Sequence, residues 1–240
     1  MAEPRPAPFF IGDDLALDFL NSVAAPWGPE IEWLANGADL VAWLDRARAL
    51  PANVSEHFRA QTGSRTLDAV ASQARELREW FRRFVRKHAG KPLGRRALHD
   101  LAPLNELLGR DTAYRQIEIS VTRDRRGDDG EGFQALRWQA KRRWDSPKSL
   151  LLPLADAIGD LVSRKDFTLV RKCEGPTCTL WFLDVSKDTA GVGAAWQCVA
   201  IGRKWRHIGP ESNSRTTLDS ALHSIVSRAQ SVRAYFCVSF

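Results

Sequence analysis

The sequence predicts an α+β protein in which a helical N-terminal domain carries a small antiparallel sheet. With 240 residues, 44% of them hydrophobic and 27% charged, the chain can bury one good core. One long stretch, Thr66 to His88, repeats apolar residues at three and four positions, as an amphipathic helix does. Farther on, two stretches alternate polar and apolar residues around a charged, glycine-containing segment, which is typical of a strand hairpin.

The first element is predicted to be a strand hairpin within residues 9–22, which read FFIGDDLALDFLNS. The G-D-D sequence supplies its turn. The alternation in L-A-L-D-F favours a strand, whereas Ala16 and Leu20 leave a helix possible. We therefore expect strands here, followed by a loop.

Two helices are expected next. Asn36-Gly37 opens the first, from Ala38 to Leu50, and Pro51 ends it. The second is the long periodic stretch, whose apolar face is formed by Leu67, Val70, Ala71, Ala74, Leu77, Phe81, Phe84 and Val85. Its opposite face is basic and carries Arg75, Arg78, Arg82, Arg83 and Arg86. We predict that this basic face is solvated and holds local pairs such as Glu79 with Arg83.

Three further elements complete the predicted N-terminal domain. A helix from Arg95 to Leu108 is expected to point four leucines inward, at Leu98, Leu101, Leu104 and Leu108. A hairpin joins Tyr114–Val121 to Gly132–Trp144 across the charged loop 123–131. An apolar helix then covers Ser149 to Val162.

Charge and composition narrow the class of protein. The net charge is +6 and the isoelectric point is about 9.4, which favours an anionic partner such as nucleic acid. A basic surface without a polyanionic partner is the alternative. No apolar run approaches the roughly 20 residues that a membrane span needs, and the first eight residues lack a signal-peptide core. We therefore expect a cytoplasmic protein with no membrane partner. Because no phosphate loop, catalytic triad or carboxylate pair is present, we expect no enzymatic activity.

All four cysteines, Cys173, Cys178, Cys198 and Cys237, lie in the last third of the chain. In a reducing compartment they indicate metal ligands or buried thiols rather than disulfides. The turn C-E-G-P-T-C at 173–178 folds the chain back, so that two sulfurs can reach the roughly 2.3 Å that zinc requires. Such a turn is the usual first half of a structural zinc site. A β-hairpin with two ordinary buried thiols is the alternative.

The residues around this turn resemble the first half of the CGNR-type zinc finger, K-R-C-x4-C-x3-F-x-D-x-S-(K/R). The matching positions are Arg171, Lys172, Cys173, Cys178, Phe182, Asp184, Ser186 and Lys187. Upstream, LALDFLNS at 15–22 and ADLVAWL at 38–44 resemble the ABATE domain. That domain precedes this finger in bacterial proteins described as stress-induced transcription regulators.

The resemblance implies two functional parts. An ABATE-like α+β domain, residues 1–165, would have a sensing or ligand-binding role, with a small-molecule effector as its partner. A zinc-ribbon-like module, residues 166–210, would bind DNA. In this chain the zinc ligands would be Cys173, Cys178 and Cys198, with His207 or, alternatively, Cys237 as the fourth. The residues facing DNA would be Arg171, Lys172, Arg203, Lys204 and Arg206.

After Lys187 the sequence departs from the family pattern. The segment W-C-S-M-x-x-C-G-N-R is absent, and residues 211–240 form a divergent tail. A reading-frame shift near residues 187–195 and true divergence are both open explanations. Between 164 and 207 the chain still carries eight Lys and Arg against four Asp and Glu, so any contact with phosphates should weaken with salt. The alternative function is a small-molecule-binding or protein-interaction domain in which the cysteine hairpin is a structural clip, without metal.

Overall fold

The computed structural model describes residues 5–25, 28–61, 63–122 and 133–185. In these ranges it contains helices and two-stranded antiparallel sheets, so the α+β prediction is confirmed for this part of the chain. The helices are α1 Leu15–Leu20, α2 Gly37–Arg46, α3 Ala52–Gln61, α4 Ser64–His88, α5 Arg95–Asp100, α6 Ala102–Leu108 and α7 Leu152–Arg164. The strands are β1 Val23–Ala24, β2 Ile31–Glu32, β3 Tyr114–Thr122, β4 Phe133–Lys141, β5 Val170–Lys172 and β6 Trp181–Leu183.

Helix α4 is the centre of the core, and its predicted apolar face is confirmed. Helices α1 and α2 pack against it, and α7 packs against α1. Phe19, Trp43, Phe81 and Leu154 are among the fully buried side chains where these helices meet. Burial of this apolar surface is the main term that stabilises the fold.

The prediction of strands at 9–22 is wrong, because the segment forms helix α1. Asp14 caps this helix by accepting a hydrogen bond from the Ala16 backbone N–H at 2.9 Å. The preceding Asp13 has φ of 55°, and this left-handed turn replaces the predicted strand turn. The L-A-L-D-F pattern suits α1 because this six-residue helix is buried around nearly its whole circumference. Strands β1 and β2 follow α1 instead, with Val23 opposite Glu32.

The other predicted helices are correct in type but differ in their ends. Helix α2 ends at Arg46, before the predicted boundary, because the chain reverses at Arg48 with φ of 54°. Helix α3 was not predicted. The single helix expected over 95–108 is divided at Leu101 into α5 and α6, and Leu98 is 61% exposed rather than inward. A 3₁₀ turn, Pro147–Leu151, precedes α7.

The basic face of α4 is not a solvated face along its whole length. Arg78 and Arg82 are 2% and 8% exposed, which contradicts the prediction for these two residues. Glu79 pairs with both of them rather than with Arg83. Their ion pairs with Glu32 and Glu79 explain why these charges can be buried.

The two other predicted hairpins, β3–β4 and the cysteine hairpin, are confirmed. Strands β3 and β4 pair over nine residues each, with Ile117 opposite Trp138. Strands β5 and β6 pair across the cysteine turn, with Lys172 opposite Trp181. No helix within the described ranges is long and apolar enough to cross a membrane.

Candidate metal centre

The turn between β5 and β6 brings Cys173 and Cys178 together. The Cys173 N–H donates to the Leu180 carbonyl at 2.9 Å, and the Cys178 N–H donates to the Gly175 carbonyl at 3.0 Å. Gly175 packs closely against both cysteine side chains, because an added Cβ there would be 3.0 Å from the Cys178 Cβ and 3.6 Å from the Cys173 Sγ. The Cys173 side chain lies close enough to the Cys178 thiol to influence the pKa of that thiol. The sequence therefore places two sulfurs at one point, as predicted from the C-x4-C spacing.

Both thiols are buried, and neither forms a disulfide. Burial, with a further contribution from the adjacent Cys173, raises the pKa of the Cys178 thiol to about 11. A bound cation would favour the thiolate instead. Two adjacent sulfurs fit half of the four-ligand set that structural zinc takes. In the described ranges no cluster of three or more His, Cys, Asp or Glu side chains could hold a metal ion. The part of the chain that the structure describes therefore supplies two candidate sulfur ligands.

The remaining predicted site residues divide into two groups. Arg171 and Lys172 lie on β5, directly before Cys173, and both are exposed. The guanidinium of Arg171 reaches Gly90, where an added Cβ would lie 2.8 Å from its Nη1. The others, Cys198, Arg203, Lys204, Arg206 and His207, lie outside the described residues.

Asn21 fastens the cysteine hairpin to the helical domain. Its side-chain amide donates to the Trp181 carbonyl at 2.7 Å, and its Oδ1 accepts from the Trp181 N–H at 2.9 Å. The amide thus pairs with the free edge of β6 as a neighbouring strand would. Asn21 is 1% exposed, so these two bonds are made in the core.

Two backbone groups near Asn21 make further hydrogen bonds to the hairpin. The Leu183 N–H donates to the Gly12 carbonyl at 3.0 Å. The Ala25 N–H donates to the Thr179 hydroxyl at 2.8 Å. The apolar side chains of the hairpin belong to the same buried cluster as those of the helices. The candidate metal centre is therefore held on the helical domain rather than on an independent module core.

The buried arginines of α4 hold the other side of the same segment. Arg78 donates to the Ser22 hydroxyl at 2.9 Å and to both carboxylate oxygens of Glu32, at 2.8 and 2.5 Å. Arg82 donates to the Leu20 carbonyl at 2.7 Å. Burial opposes ionisation of Glu32, but the hydrogen bonds and charge of Arg78 outweigh it and lower its pKa below the ordinary value. The bidentate pair thus joins α4 to β2.

Asp18, on α1, is a further buried polar residue that holds this segment. It is 8% exposed and accepts a hydrogen bond from the Gly12 N–H at 2.7 Å. Burial, reinforced by the nearby charges of Asp13 and Asp14, raises its pKa to about 6, although hydrogen bonds from two backbone N–H groups act in the other direction. Asp18 positions the Gly12 loop, which in turn holds Leu183.

Sequence reasoning missed the roles of Asn21, Ser22, Arg78 and Glu32. The signal was present in part, because D-x-x-N-S inside an apolar run places polar side chains where they must find buried partners. The sequence gives no signal for the identity of those partners, since Ser22 and Arg78 are separated by 56 positions and Asn21 and Trp181 by 160.

Fold and site together define a class of protein, an α+β domain that carries a paired-cysteine hairpin on its first helix. The family model of the ABATE domain, described as "Putative stress-induced transcription regulator", matches residues 13–165. The chain belongs to this family, as the motifs at 15–22 and 38–44 predicted. A search of curated proteins finds no match.

Proposed function

We propose that this member of a transcription-regulator family binds DNA through a C-terminal module in which Cys173 and Cys178 hold zinc. One observation carries the proposal. Two buried thiols, Cys173 and Cys178, lie next to two exposed cations, Arg171 and Lys172, which are on strand β5. The cations would face phosphates, while zinc would fix the turn that presents them. Cys198 and His207 are the remaining proposed ligands, and Arg203, Lys204 and Arg206 the remaining proposed DNA contacts.

Zinc content tests the metal half of the proposal. The purified 240-residue chain should contain about one zinc ion by elemental analysis, and Cys173→Ser should lose it. Ser163→Ala is a suitable control because its hydroxyl lies on α7 and donates only within its own helix, to the Gly159 carbonyl. Equal zinc in the wild type and Cys173→Ser would contradict the assignment, as would no zinc in either.

DNA binding tests the other half. Affinity for a random duplex should fall as salt rises, because each Lys or Arg set against a phosphate releases a counterion. Arg171→Ala and Lys172→Ala should each weaken binding and reduce the salt slope by about one. Arg65→Ala removes the same charge from an exposed position at the start of α4 and serves as the matched control. Binding that is insensitive to both salt and the two variants would exclude this interface.

A cavity favours the second candidate function, small-molecule binding by the N-terminal domain. Its volume is about 250 Å³, and it lies between α4, the end of α6 and the start of α7. Its lining includes three basic residues, three hydroxyl residues and several leucines. The basic residues are Arg110, Arg143 and Lys148, and the hydroxyl residues are Thr112, Ser146 and Ser149. Only one acidic residue, Asp145, is among the lining residues. A small organic anion fits this composition.

A thermal-shift measurement separates the two candidates. Citrate or pyrophosphate should raise the melting temperature of the full chain, because a ligand bound only to the folded state stabilises it. The double variant Arg143→Ala/Lys148→Ala should abolish that increase, whereas Lys91→Ala, an exposed charge elsewhere, should retain it. An increase that is identical in all three proteins would indicate a general salt effect and would remove the cavity from consideration.

A further inference from the structure

The β3–β4 hairpin carries four of the six large hydrophobic side chains that are exposed in the described part of the chain. Ile117, Ile119, Leu136 and Trp138 are 68%, 63%, 75% and 67% exposed. Ile117 is paired with Trp138, and Ile119 is paired with Leu136, so all four side chains lie on one face. We call this set the apolar face of the hairpin. A contiguous patch of this kind is unusual on a protein that acts alone.

The other face of the hairpin is polar. Glu118 forms an ion pair with Lys141 there and lies opposite Arg137 in the register. Among the described helices and strands, β3 and β4 contact chiefly each other. A two-stranded ribbon is marginal in water, and its stability needs a surface on which the apolar side can pack. The hairpin therefore has one polar and one apolar face, and the apolar face does not pack against the described core.

We infer that the apolar face of the hairpin is a dimer interface, and that its occupant is the same face of a second copy of this chain. Three of the four side chains are aliphatic and the fourth is an uncharged indole, so the four residues carry no charge that would specify a different partner. Two identical apolar faces complement each other when related by a two-fold axis, as in isologous dimers.

Charge at the ends of the face is compatible with such a pair. The charged residue on this side is Arg115, whose guanidinium lies 4.8 Å from the centre of the Trp138 ring. An axis through the middle of the face, near position 118, places the two copies of Arg115 at opposite ends. Three residues of strand span roughly 10 Å, so the Cα atoms of the two Arg115 residues would lie about 20 Å apart, and each guanidinium would stay over the Trp138 ring of its own copy.

The area is also adequate for the apolar centre of a dimer. One tryptophan and three branched aliphatic side chains, each about two-thirds exposed, offer on the order of 500 Å² per copy. A standard interface buries roughly 800 Å² per partner, of which the centre is apolar and the rim polar. The four side chains would supply that centre, and the polar residues flanking them would supply the rim.

Sedimentation of the full chain over a wide range of concentration tests the inference. The wild type should be a dimer, and Trp138→Glu and Leu136→Glu should each raise the dimer dissociation constant at least tenfold, because each buries a charge at the centre of the interface. Gln139→Glu adds the same charge to the exposed opposite face of β4 and should remain a dimer. Because all three positions are exposed, the circular dichroism spectra should be unchanged.

Each other outcome overturns the inference. A wild type that is monomeric at all concentrations would show that a different partner, or another part of this chain, covers the face. A dimer that persists in both Trp138→Glu and Leu136→Glu would place the interface elsewhere. A dimer lost equally in Gln139→Glu would show that added charge, rather than the apolar face, controls association.

Discussion

Single buried polar side chains connect the two halves of the candidate site. Asn21 bonds the cysteine hairpin, and Ser22, the next residue, accepts from Arg78 of α4. Each such bond contributes modestly to stability, but an unpaired buried partner costs much more. A small number of residues therefore controls whether the hairpin stays on the helical domain.

Asn21→Ala should reduce the free energy of unfolding by about 3 kcal/mol. The substitution leaves the Trp181 N–H and carbonyl buried without partners, at a cost of about 1–3 kcal/mol each. Urea denaturation measures the loss, and hydrogen exchange at the Trp181 amide should accelerate with it. Asn105→Ala, at an exposed position of α6, should change neither quantity. Normal exchange at Trp181 in Asn21→Ala would show that Asn21 does not hold the hairpin.

Asp18→Asn should change how stability depends on pH. Since the pKa of Asp18 is about 6 in the folded protein and 3.8 ordinarily, the folded state binds more protons between these values. Wild-type stability therefore falls as pH rises from about 4 to about 6, by up to about 3 kcal/mol from this residue. The asparagine retains an oxygen for the Gly12 N–H but has no charge to desolvate, so the variant should lack this fall.

Urea denaturation of both proteins at several pH values between 4 and 7 measures the effect. The difference in stability between Asp18→Asn and the wild type should grow in favour of the variant across that window and stay constant above it. Parallel curves would show that the carboxyl group of Asp18 is not perturbed in the folded protein.

At the scale of secondary-structure elements, long periodic segments were predictable and short ones were not. The apolar face of α4 follows directly from the sequence, because 25 residues average out local exceptions. Helix α1 has six residues, too few for its period to be distinguished from strand alternation. The burial of Arg78 was unpredictable for a different reason, since it depends on Glu32, which β2 brings to α4 only in the folded chain.

The packing of α2 against α4 depends on one glycine. A Cβ added at Gly37 would lie 2.2 Å from the Leu67 Cβ and 2.5 Å from its carbonyl carbon. Gly37→Ala should therefore force the two helices apart and destabilise the protein by about 1–3 kcal/mol or more. Gly63→Ala is the matched control, because Gly63 has no atom within 4 Å of an added Cβ. Thermal unfolding compares the pair, and equal melting temperatures would refute this close contact.

At the scale of the whole molecule, the sequence located the candidate metal centre but not its attachment. The C-x4-C spacing and the Gly-Pro turn predict a local hairpin, and local structure is what short spacing can determine. The expected boundary at residue 165 treats the hairpin as part of a separate module, and the family match ends at the same residue. The structure nevertheless buries the hairpin's apolar residues in the same cluster as the helices. Such long-range packing leaves no pattern in one sequence.

A chain that ends at residue 165 should therefore fail to fold cooperatively, whereas one that ends at residue 185 should fold. Residues 166–185 supply five large buried side chains to the core, Phe167, Val170, Leu180, Trp181 and Leu183. At about 1.5–3 kcal/mol each, their burial is comparable to the total stability of about 5–15 kcal/mol of a typical domain. The shorter chain also leaves Asn21 without the Trp181 backbone.

Circular dichroism melting curves of the two truncated chains measure this difference. The chain 1–185 should show a cooperative transition close to that of the 240-residue chain, whereas 1–165 should show none or melt far lower. A Cys173→Ser variant of 1–185 separates packing from metal binding, because it retains the apolar contacts while losing one sulfur ligand. If 1–165 melts cooperatively at the temperature of 1–185, the helical domain folds without the hairpin, and the hairpin does not contribute to its stability.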